Sequence, residues 1–332
     1  MKKIAINGFG RIGRAALKIA LTKEDIEVVA INDLTDAKTL AHLLQHDTAY
    51  GRYQHTVKVG ENSLIIDGKI IPVYAEADPK KLPWGELSVD VVLECTGRFV
   101  SGDAMRAHIA SGAKKVVLSA PAKEGGDVPT FLLGVNEHEY TQDINILSNA
   151  SCTTNCIAPV AKIIQQAFGI EKALMTTIHS YTADQNLQDG PHKDLRRARA
   201  AAGNIVPTTT GAAIAVTEVI PELQGLFDGL AVRVPTIVVS LTDFTFLLKR
   251  DVTIDEVNNA LKTASETTQY QGIFTVTEEL LVSSDFIGNS YSSIADLSLT
   301  KVVGGNLIKV VAWYDNEWGY SNRLIELAQM IS

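Results

Sequence analysis

Apolar and polar residues change rhythm along the chain, and each change marks an element. Lys3-Ile4-Ala5-Ile6-Asn7 is a short apolar run of the kind that forms a buried strand, and Arg14 to Leu21 continues with helical spacing. A second apolar run, Val28-Val29-Ala30-Ile31, ends at Asn32-Asp33. The strand pattern returns at Val89-Asp90-Val91-Val92-Leu93-Glu94 and at Lys115-Val116-Val117-Leu118-Ser119, with a helical stretch from Ala104 to Ser111 between them. Strands alternating with helices predict a parallel sheet covered on both faces. From Tyr50 to Trp84 the rhythm is that of inserted hairpins, with Asp67-Gly68 as a turn signal.

The second half reads differently. Val160-Ala161-Lys162-Ile163-Ile164 has helical apolar spacing, and its helix is expected to start between Ser151 and Thr154. Pro159 then fits best in the first or second turn, where few backbone bonds are lost. Ala173 to Ile178 reads as a strand, and Leu230 to Leu248 and Leu307 to Trp313 read as long strands of a mostly antiparallel sheet. The predicted fold is α/β: an N-terminal doubly wound sheet of the Rossmann type over residues 1–150 and an α+β catalytic domain over 151–316. A closing helix within 317–332 is expected to pack back on the first domain.

Composition narrows the function classes. The 332 residues include 46% hydrophobic and 20% charged positions, an ordinary globular balance. A net charge of -8 argues against a nucleic-acid footprint. No apolar run is long enough for a membrane span, and the start of the chain lacks the apolar core of a signal peptide. Three cysteines do not make a disulfide framework. These features predict a soluble cytoplasmic protein.

Chemistry concentrates at two places. The first apolar run leads into Gly8-Phe9-Gly10-Arg11-Ile12-Gly13, which is G-x-G-x-x-G, and Asp33 follows twenty residues after Gly13. Glycines at Gly8, Gly10 and Gly13 permit a tight turn and close approach of a pyrophosphate, whose charge suits a helix N-terminus. Asp33 can accept hydrogen bonds from ribose hydroxyls and would repel a 2′-phosphate, so NAD is preferred over NADP. Thr96-Gly97 and Ser119-Ala120-Pro121 end their strands at the sheet edge where such folds bind ligands. The second place is Ser151-Cys152-Thr153-Thr154-Asn155-Cys156, where a thiol stands just before an apparent helix. A helix N-terminus lowers a thiol pKa, and only the thiolate is nucleophilic. Cys95, in its strand, and Cys156 read as packing thiols, and no second ligand pair accompanies Cys152 and Cys156 for a metal. Of seven histidines, His42 and His46 read as packing or surface residues. His179 ends a strand-like run and enters a polar loop, a usual place for a catalytic group. Sequence spacing alone does not place it beside Cys152.

Several segments taken together resemble the phosphorylating NAD-dependent glyceraldehyde-3-phosphate dehydrogenases. They are Asn7 to Arg14, Ser151 to Cys156, His179-Ser180-Tyr181-Thr182, His192 to Arg199, Pro207-Thr208-Thr209-Thr210-Gly211-Ala212-Ala213, and Trp313 to Tyr320. The resemblance implies Cys152 as nucleophile and His179 as general base. It implies Ser151, Thr153, Thr210, Gly211 and Arg197 for inorganic phosphate, and Thr182 and Arg233 for the substrate's own phosphate. Arg11, Ile12, Asp33, Ser119 and Asn316 would contact NAD, with Asn316 orienting the nicotinamide amide and Tyr320 backing its ring. A homotetramer is implied too, with the loop from about Ser180 to Gly203 at a subunit interface. The activity implied is oxidation of glyceraldehyde 3-phosphate with inorganic phosphate, through a Cys152 thiohemiacetal and thioester.

Some positions depart from that pattern. Ala77 stands where a basic residue is usual, Ile237-Val238-Val239-Ser240 lacks a common Pro-Asn pair, and Asn289-Ser290-Tyr291 replaces a Pro-His pair. Gly190-Pro191 resembles NAD-preferring members. The nearest alternative activity is erythrose-4-phosphate dehydrogenase, with the same thiol but a hydrolysed thioester. A semialdehyde dehydrogenase would lack this ordered set of motifs. A cysteine phosphatase needs an arginine six residues after its cysteine, and position 158 is alanine. A sensing or interaction protein on an inactive scaffold is disfavoured by the intact Cys152, His179 and Arg233.

Overall fold

The computed structural model describes residues 1–123 and 127–332. The chain falls into two compact units, one comprising Met1–Phe131, His138–Ala150 and Ser321–Ser332, the other Leu132–Glu137 and Ser151–Tyr320.

In the first unit the strands are β1 (Lys2–Asn7), β2 (Ile26–Asn32), a short pair β3 (His46–Asp47) and β4 (Gly51–Arg52), β5 (Val57–Gly60), β6 (Ser63–Ile66), β7 (Lys69–Tyr74), β8 (Val91–Glu94), β9 (Lys115–Leu118) and β10 (Ile146–Ser148). The helices are α1 (Arg11–Ala20), α2 (Ala37–Gln45) and α3 (Gly102–Ala110). The sheet runs β10-β9-β8-β1-β2-β7-β6-β5. It is parallel from β10 to β7 and antiparallel from β7 to β5. The chain leaves β1 through α1 toward β2, and leaves β8 through α3 in the opposite direction along the sheet. Right-handed crossovers therefore place α1 and α3 on opposite faces. Ala5, Ala30, Val92, Val116 and Leu118 face Met105 of α3 and Trp84 in one core. Asp67 and Gly68 join β6 to β7 at φ 48° and 86°, the left-handed geometry a two-residue hairpin needs. One expectation shifts here: β8 ends at Glu94, so Cys95 lies one residue past the strand. There the chain turns toward a cleft and leaves the residue, though not its thiol, partly exposed.

The second unit contains α4 (Cys152–Phe168), β11 (Ile170–Ser180), β12 (Val206–Thr208), α5 (Ala212–Val219), β13 (Phe227–Val234), β14 (Ser240–Leu248), α6 (Ile254–Ser265), β15 (Phe274–Thr277), β16 (Ser293–Asp296), β17 (Lys301–Val303) and β18 (Leu307–Tyr314). The closing helix α7 (Trp318–Ile331) runs from this unit into the residues counted with the first. The sheet order is β12-β13-β11-β14-β18-β16-β15, with β17 on β18. Only β11–β13 and β15–β16 are parallel, so the sheet is mostly antiparallel. The segment read as one long strand from Leu230 to Leu248 is two, β13 and β14, parted at residues 235–239. Pro235 has no N–H for a ladder, and Val239 turns the chain at φ 72°, a conformation costly for a β-branched residue.

Pro159 is a second correction. It lies inside α4, in the third turn, past the two turns where it fits without loss. Proline there forfeits the bond to the Asn155 carbonyl, a local cost of about 3 kcal/mol. Ile157, Val160, Ala161 and Ile164 around it are all fully buried, and their packing holds the helix together across the defect.

Candidate active site

Two sites emerge, one in each unit. In the first, the carboxyl ends of β1, β2, β7 and β8 border a cleft of about 340 Å³ lined by Asn7, Gly8, Gly10, Asn32, Asp33, Leu34, Thr35, Glu76, Ala77, Cys95, Thr96, Arg98 and Phe99. This is the switch point of the sheet, where connections leave β1 in one direction and β8 in the other, the usual ligand position in open α/β sheets. The glycines are required by contact. A side chain at Gly8 would strike the Cys95 and Thr96 backbone at 2.7–2.9 Å, and one at Gly13 would strike the Gly8 carbonyl. Beside Gly10 there is open room, and no side chain caps the start of α1. A pyrophosphate fits that vacant cap. Asp33 is already aimed: its Oδ2 accepts from the Phe9 N–H at 2.7 Å and its Oδ1 from the Thr35 N–H at 2.9 Å. Each oxygen keeps a second lone pair for a ribose hydroxyl.

The other expected cofactor residues are placed less directly. Arg11 is held by Asp47 at 2.7 Å and its guanidinium stacks over Tyr50. Ile12 is half-buried in the first turn of α1, and Ser119 follows β9 beside Cys95, outside the cleft lining. Burial pushes the Cys95 thiol up to about 12, which leaves it inert although it borders the cleft.

The second site is built around α4 and β11. Ser151 caps α4, its Oγ accepting from the Thr154 N–H at 3.0 Å. Cys152 is the first helical residue, and the N–H groups of Cys152 and Thr153 point at its sulfur. On β11, Thr177 and His179 are two residues apart and share the buried face. The parallel register sets His179 against Arg233 of β13. Cys152 Sγ then lies 3.5 Å from His179 Nε2. On the far side of the ring, His179 Nδ1 is 2.7 Å from the Ser180 carbonyl, and Arg233 Nη1 is 2.8 Å from Nδ1 and 3.1 Å from that same carbonyl. A carbonyl accepts two hydrogen bonds, whereas Nδ1 cannot donate and accept at once. The consistent assignment has Nδ1–H and Arg233 both donating to Ser180, which leaves the lone pair of Nε2 facing the thiol.

Electrostatics follows from this packing. Burial and the Arg233 charge lower the His179 pKa to about 3, so the ring is neutral. Burial raises the Cys152 thiol, opposed by the Arg233 charge and by hydrogen bonds from Thr153. The Arg233 guanidinium is itself pulled down by burial, and its Nε is buried without a protein partner. An orphaned guanidinium donor beside a thiol fits an anionic ligand such as phosphate.

The remaining predicted residues gather around this pair to different degrees. Arg197 lies near enough to Arg233 to disfavour its charge, but its own guanidinium is ion-paired to Asp184 and, at 3.4 Å, to Asp194. It also reaches the Thr209 carbonyl at 3.4 Å, next to Thr210. Thr210 Oγ1 accepts from Ala212 N at 3.2 Å, and Gly211 directly precedes α5, so both sit at a helix start. Thr182 is half-buried just past β11. Asn316 is fixed through its carbonyl: Ser180 Oγ and Ser240 Oγ donate to Oδ1 at 3.0 and 3.1 Å, which leaves the amide N–H groups to donate. Tyr320 is buried in the first turn of α7. Sequence reasoning missed the Tyr314 hydroxyl, which bridges Thr153 Oγ1 at 3.0 Å and Thr177 Oγ1 at 2.8 Å behind the thiol. Period-two alternation back from His179 identifies Thr177, but nothing local identifies Tyr314. Cys156 packs behind the site, its Sγ donating to Ser293 Oγ at 3.6 Å, and burial pushes its thiol up to about 12. His42 and His46 are surface residues with rings 4.9 Å apart. Among the described residues no cluster of three His, Cys, Asp or Glu is arranged to hold a metal.

Comparison with known proteins agrees with both halves. Residues 2–102 match the glyceraldehyde 3-phosphate dehydrogenase NAD binding domain, and residues 151–316 match the C-terminal domain of the same enzymes. The glyceraldehyde-3-phosphate dehydrogenase of Geobacillus stearothermophilus is 54% identical over 331 residues, covering 99% of this chain and 98% of the relative. Glyceraldehyde-3-phosphate dehydrogenase 1 of Bacillus cereus is 54% identical over 329 residues, with 99% and 98% covered. The Clostridium pasteurianum enzyme of that name is 52% identical over 330 residues, with 98% and 97% covered. With this cleft, this thiol–imidazole pair and relatives matched from end to end, the chain belongs to the glyceraldehyde-3-phosphate dehydrogenase family.

Proposed function

We propose that the protein oxidises D-glyceraldehyde 3-phosphate to 1,3-bisphosphoglycerate, using NAD and inorganic phosphate. The observation that carries this reading is the 3.5 Å approach of Cys152 Sγ to a His179 Nε2 whose opposite nitrogen is committed to a carbonyl. His179 takes the thiol proton, and the sulfur adds to the aldehyde carbon as the carbonyl electron pair moves to oxygen. The Cys152 and Thr153 N–H groups stabilise that oxyanion, and the newly protonated His179 passes its proton to it, giving a thiohemiacetal and a neutral imidazole. His179 then removes the hydroxyl proton. NAD, when bound in the first unit, supplies the acceptor for the hydride leaving that carbon. Inorganic phosphate attacks the resulting thioester, the C–S bond breaks, and Cys152 returns as the thiolate. Arg233 and Thr182 hold the substrate phosphate, while Ser151, Thr153, Thr210, Gly211 and Arg197 receive the inorganic one. For Arg197 this means exchanging part of its Asp184 contact for phosphate. Asp33 and the glycine turn bind the adenosine end of NAD. Asn316, its oxygen held by two serines, presents its amide to the nicotinamide.

The protein is further proposed to act in the cytoplasm as a homotetramer. In support, Leu187 and Leu195 of the loop expected at a subunit interface are 77% and 81% exposed in the single chain, and no helix among the described residues is long and apolar enough to cross a membrane. The deciding assay follows NADH formation from glyceraldehyde 3-phosphate with and without phosphate, and with erythrose 4-phosphate in parallel. Phosphate-dependent turnover of the triose is expected, with Cys152→Ala inactive but still binding NAD. Turnover that ignores phosphate, or persists in Cys152→Ala, would sink the reading.

A further inference from the structure

The first unit contains a buried ionisable pair that the proposed chemistry does not use. Asn32, Asn7 and Glu94 are the last residues of β2, β1 and β8, and the parallel register sets them side by side. Glu94 and His108 of α3 are fully buried. A carboxylate in such a place requires a donor for every lone pair. Glu94 has four. Its Oε2 accepts from Asn7 Nδ2 at 2.5 Å and from His108 Nε2 at 3.1 Å. Its Oε1 accepts from the Thr96 N–H at 2.8 Å and from the Thr96 hydroxyl.

The donors are oriented in one sense. Trp84 Nε1 donates to His108 Nδ1 at 2.9 Å, which fixes the proton on Nε2 and directs it at Glu94. From the other side, the Glu76 N–H donates to Asn32 Oδ1 at 2.9 Å, and Asn32 Nδ2 donates to Asn7 Oδ1 at 2.7 Å. Asn7 donates in turn to Glu94, so two chains of hydrogen bonds converge on one carboxylate. Asn32 also donates to the Glu76 carbonyl at 2.9 Å, clamping that turn at both backbone groups. Asn7, Asn32, Glu76 and Thr96 all line the cleft. The carboxylate therefore fixes both walls: the turn after β8 directly, and the turn after β7 through two asparagines.

We propose that Glu94 is the positioning residue of the dinucleotide cleft, setting the placement of the Thr96 and Glu76 turns before the cofactor arrives. This rests on reading the cleft as the NAD site. A neutral amide at position 94 has one acceptor oxygen and brings a donor of its own, so it faces donors it cannot satisfy and the convergent chain breaks. The loss falls on cofactor affinity, because the thiol and its base lie in the other unit.

The test is Glu94→Gln in the full-length protein, with four readouts. NAD affinity is measured by calorimetry, KM for NAD and kcat by steady-state assay, and the alkylation rate of Cys152 by iodoacetamide. The fourth is the rise in melting temperature that NAD causes. About a tenfold rise in Kd and KM for NAD is expected, as for one unsatisfied buried group. The NAD-induced rise in melting temperature should shrink, while kcat and alkylation stay close to the parent. A merely structural role would lower melting equally with and without NAD and leave Kd alone. A Kd within threefold of the parent, or a loss confined to kcat, overturns the proposal. Should Glu94→Gln fail to fold, His108→Gln carries the test under the same threshold, since it keeps the carboxylate but deletes the aimed ring. A parent protein that binds no NAD would overturn the cleft assignment instead, a result visible before any variant is made.

Discussion

His179 is held neutral by its surroundings, and that state has a thermodynamic signature. Its folded pKa of about 3 lies far below the ordinary 6.5 of a free imidazole. Above pH 6.5 both folded and unfolded forms are unprotonated, and the residue contributes no pH dependence. Below 6.5 the unfolded chain takes up a proton that the folded one refuses, so stability falls with pH down to about 3. The slope is at most about 1.4 kcal/mol per pH unit from this one group. Denaturant midpoints measured between pH 7 and pH 5 should therefore drop less in His179→Gln than in the parent; equal drops would show that the ring is not kept neutral. The residue was legible in the sequence as a histidine ending a strand. Its tautomer was not, because that depends on the Ser180 carbonyl and on Arg233, which stands 54 residues away along the chain.

At the level of elements, α4 joins capping to chemistry. Ser151 satisfies the Thr154 N–H, so the N–H groups of Cys152 and Thr153 are left for the sulfur and for an oxyanion. Ser151→Ala should cost about 1 kcal/mol of stability. It should also slow iodoacetamide alkylation of Cys152 as the first turn loosens; unchanged alkylation with lowered stability would confine Ser151 to capping. The helix itself was legible from its apolar spacing, but the depth of Pro159 within it was not, since burial around the proline decides that. The glycine fingerprint and Asp33 were equally legible, because each needs only local spacing. The pairing of β11 with β13 was not, as register between distant strands leaves little local trace. For the same reason Asn7, Asn32 and Glu94 read as three unrelated strand ends until the sheet sets them in a row.

For the whole molecule, the alternation of strands and helices was enough to give the class of each sheet. It gave no sign that Leu132–Glu137 is counted with the second unit, so that the first is assembled from three stretches of chain, Met1–Phe131, His138–Ala150 and Ser321–Ser332. Leu324, Ile325, Leu327 and Ile331 in that stretch are fully buried. Burying four such side chains contributes on the order of 6–12 kcal/mol, comparable to the entire stability of a domain. Deleting residues 321–332 should therefore abolish NAD binding and the cooperative melting of the first unit. A truncated protein that melts and binds NAD like the parent would contradict this.

The interrupted layout also bears on how the protein is made. Synthesis proceeds from the N-terminus, and domains tend to fold as they are completed. Here the unit begun first is finished last. A growing chain that has reached Tyr320 holds every residue of the catalytic unit, yet its nucleotide-binding unit still lacks its final twelve residues. Until those emerge, the apolar surface that receives Leu324 and its neighbours stays uncovered, so a chain halted at Tyr320 should engage chaperones more than one carried through residue 332.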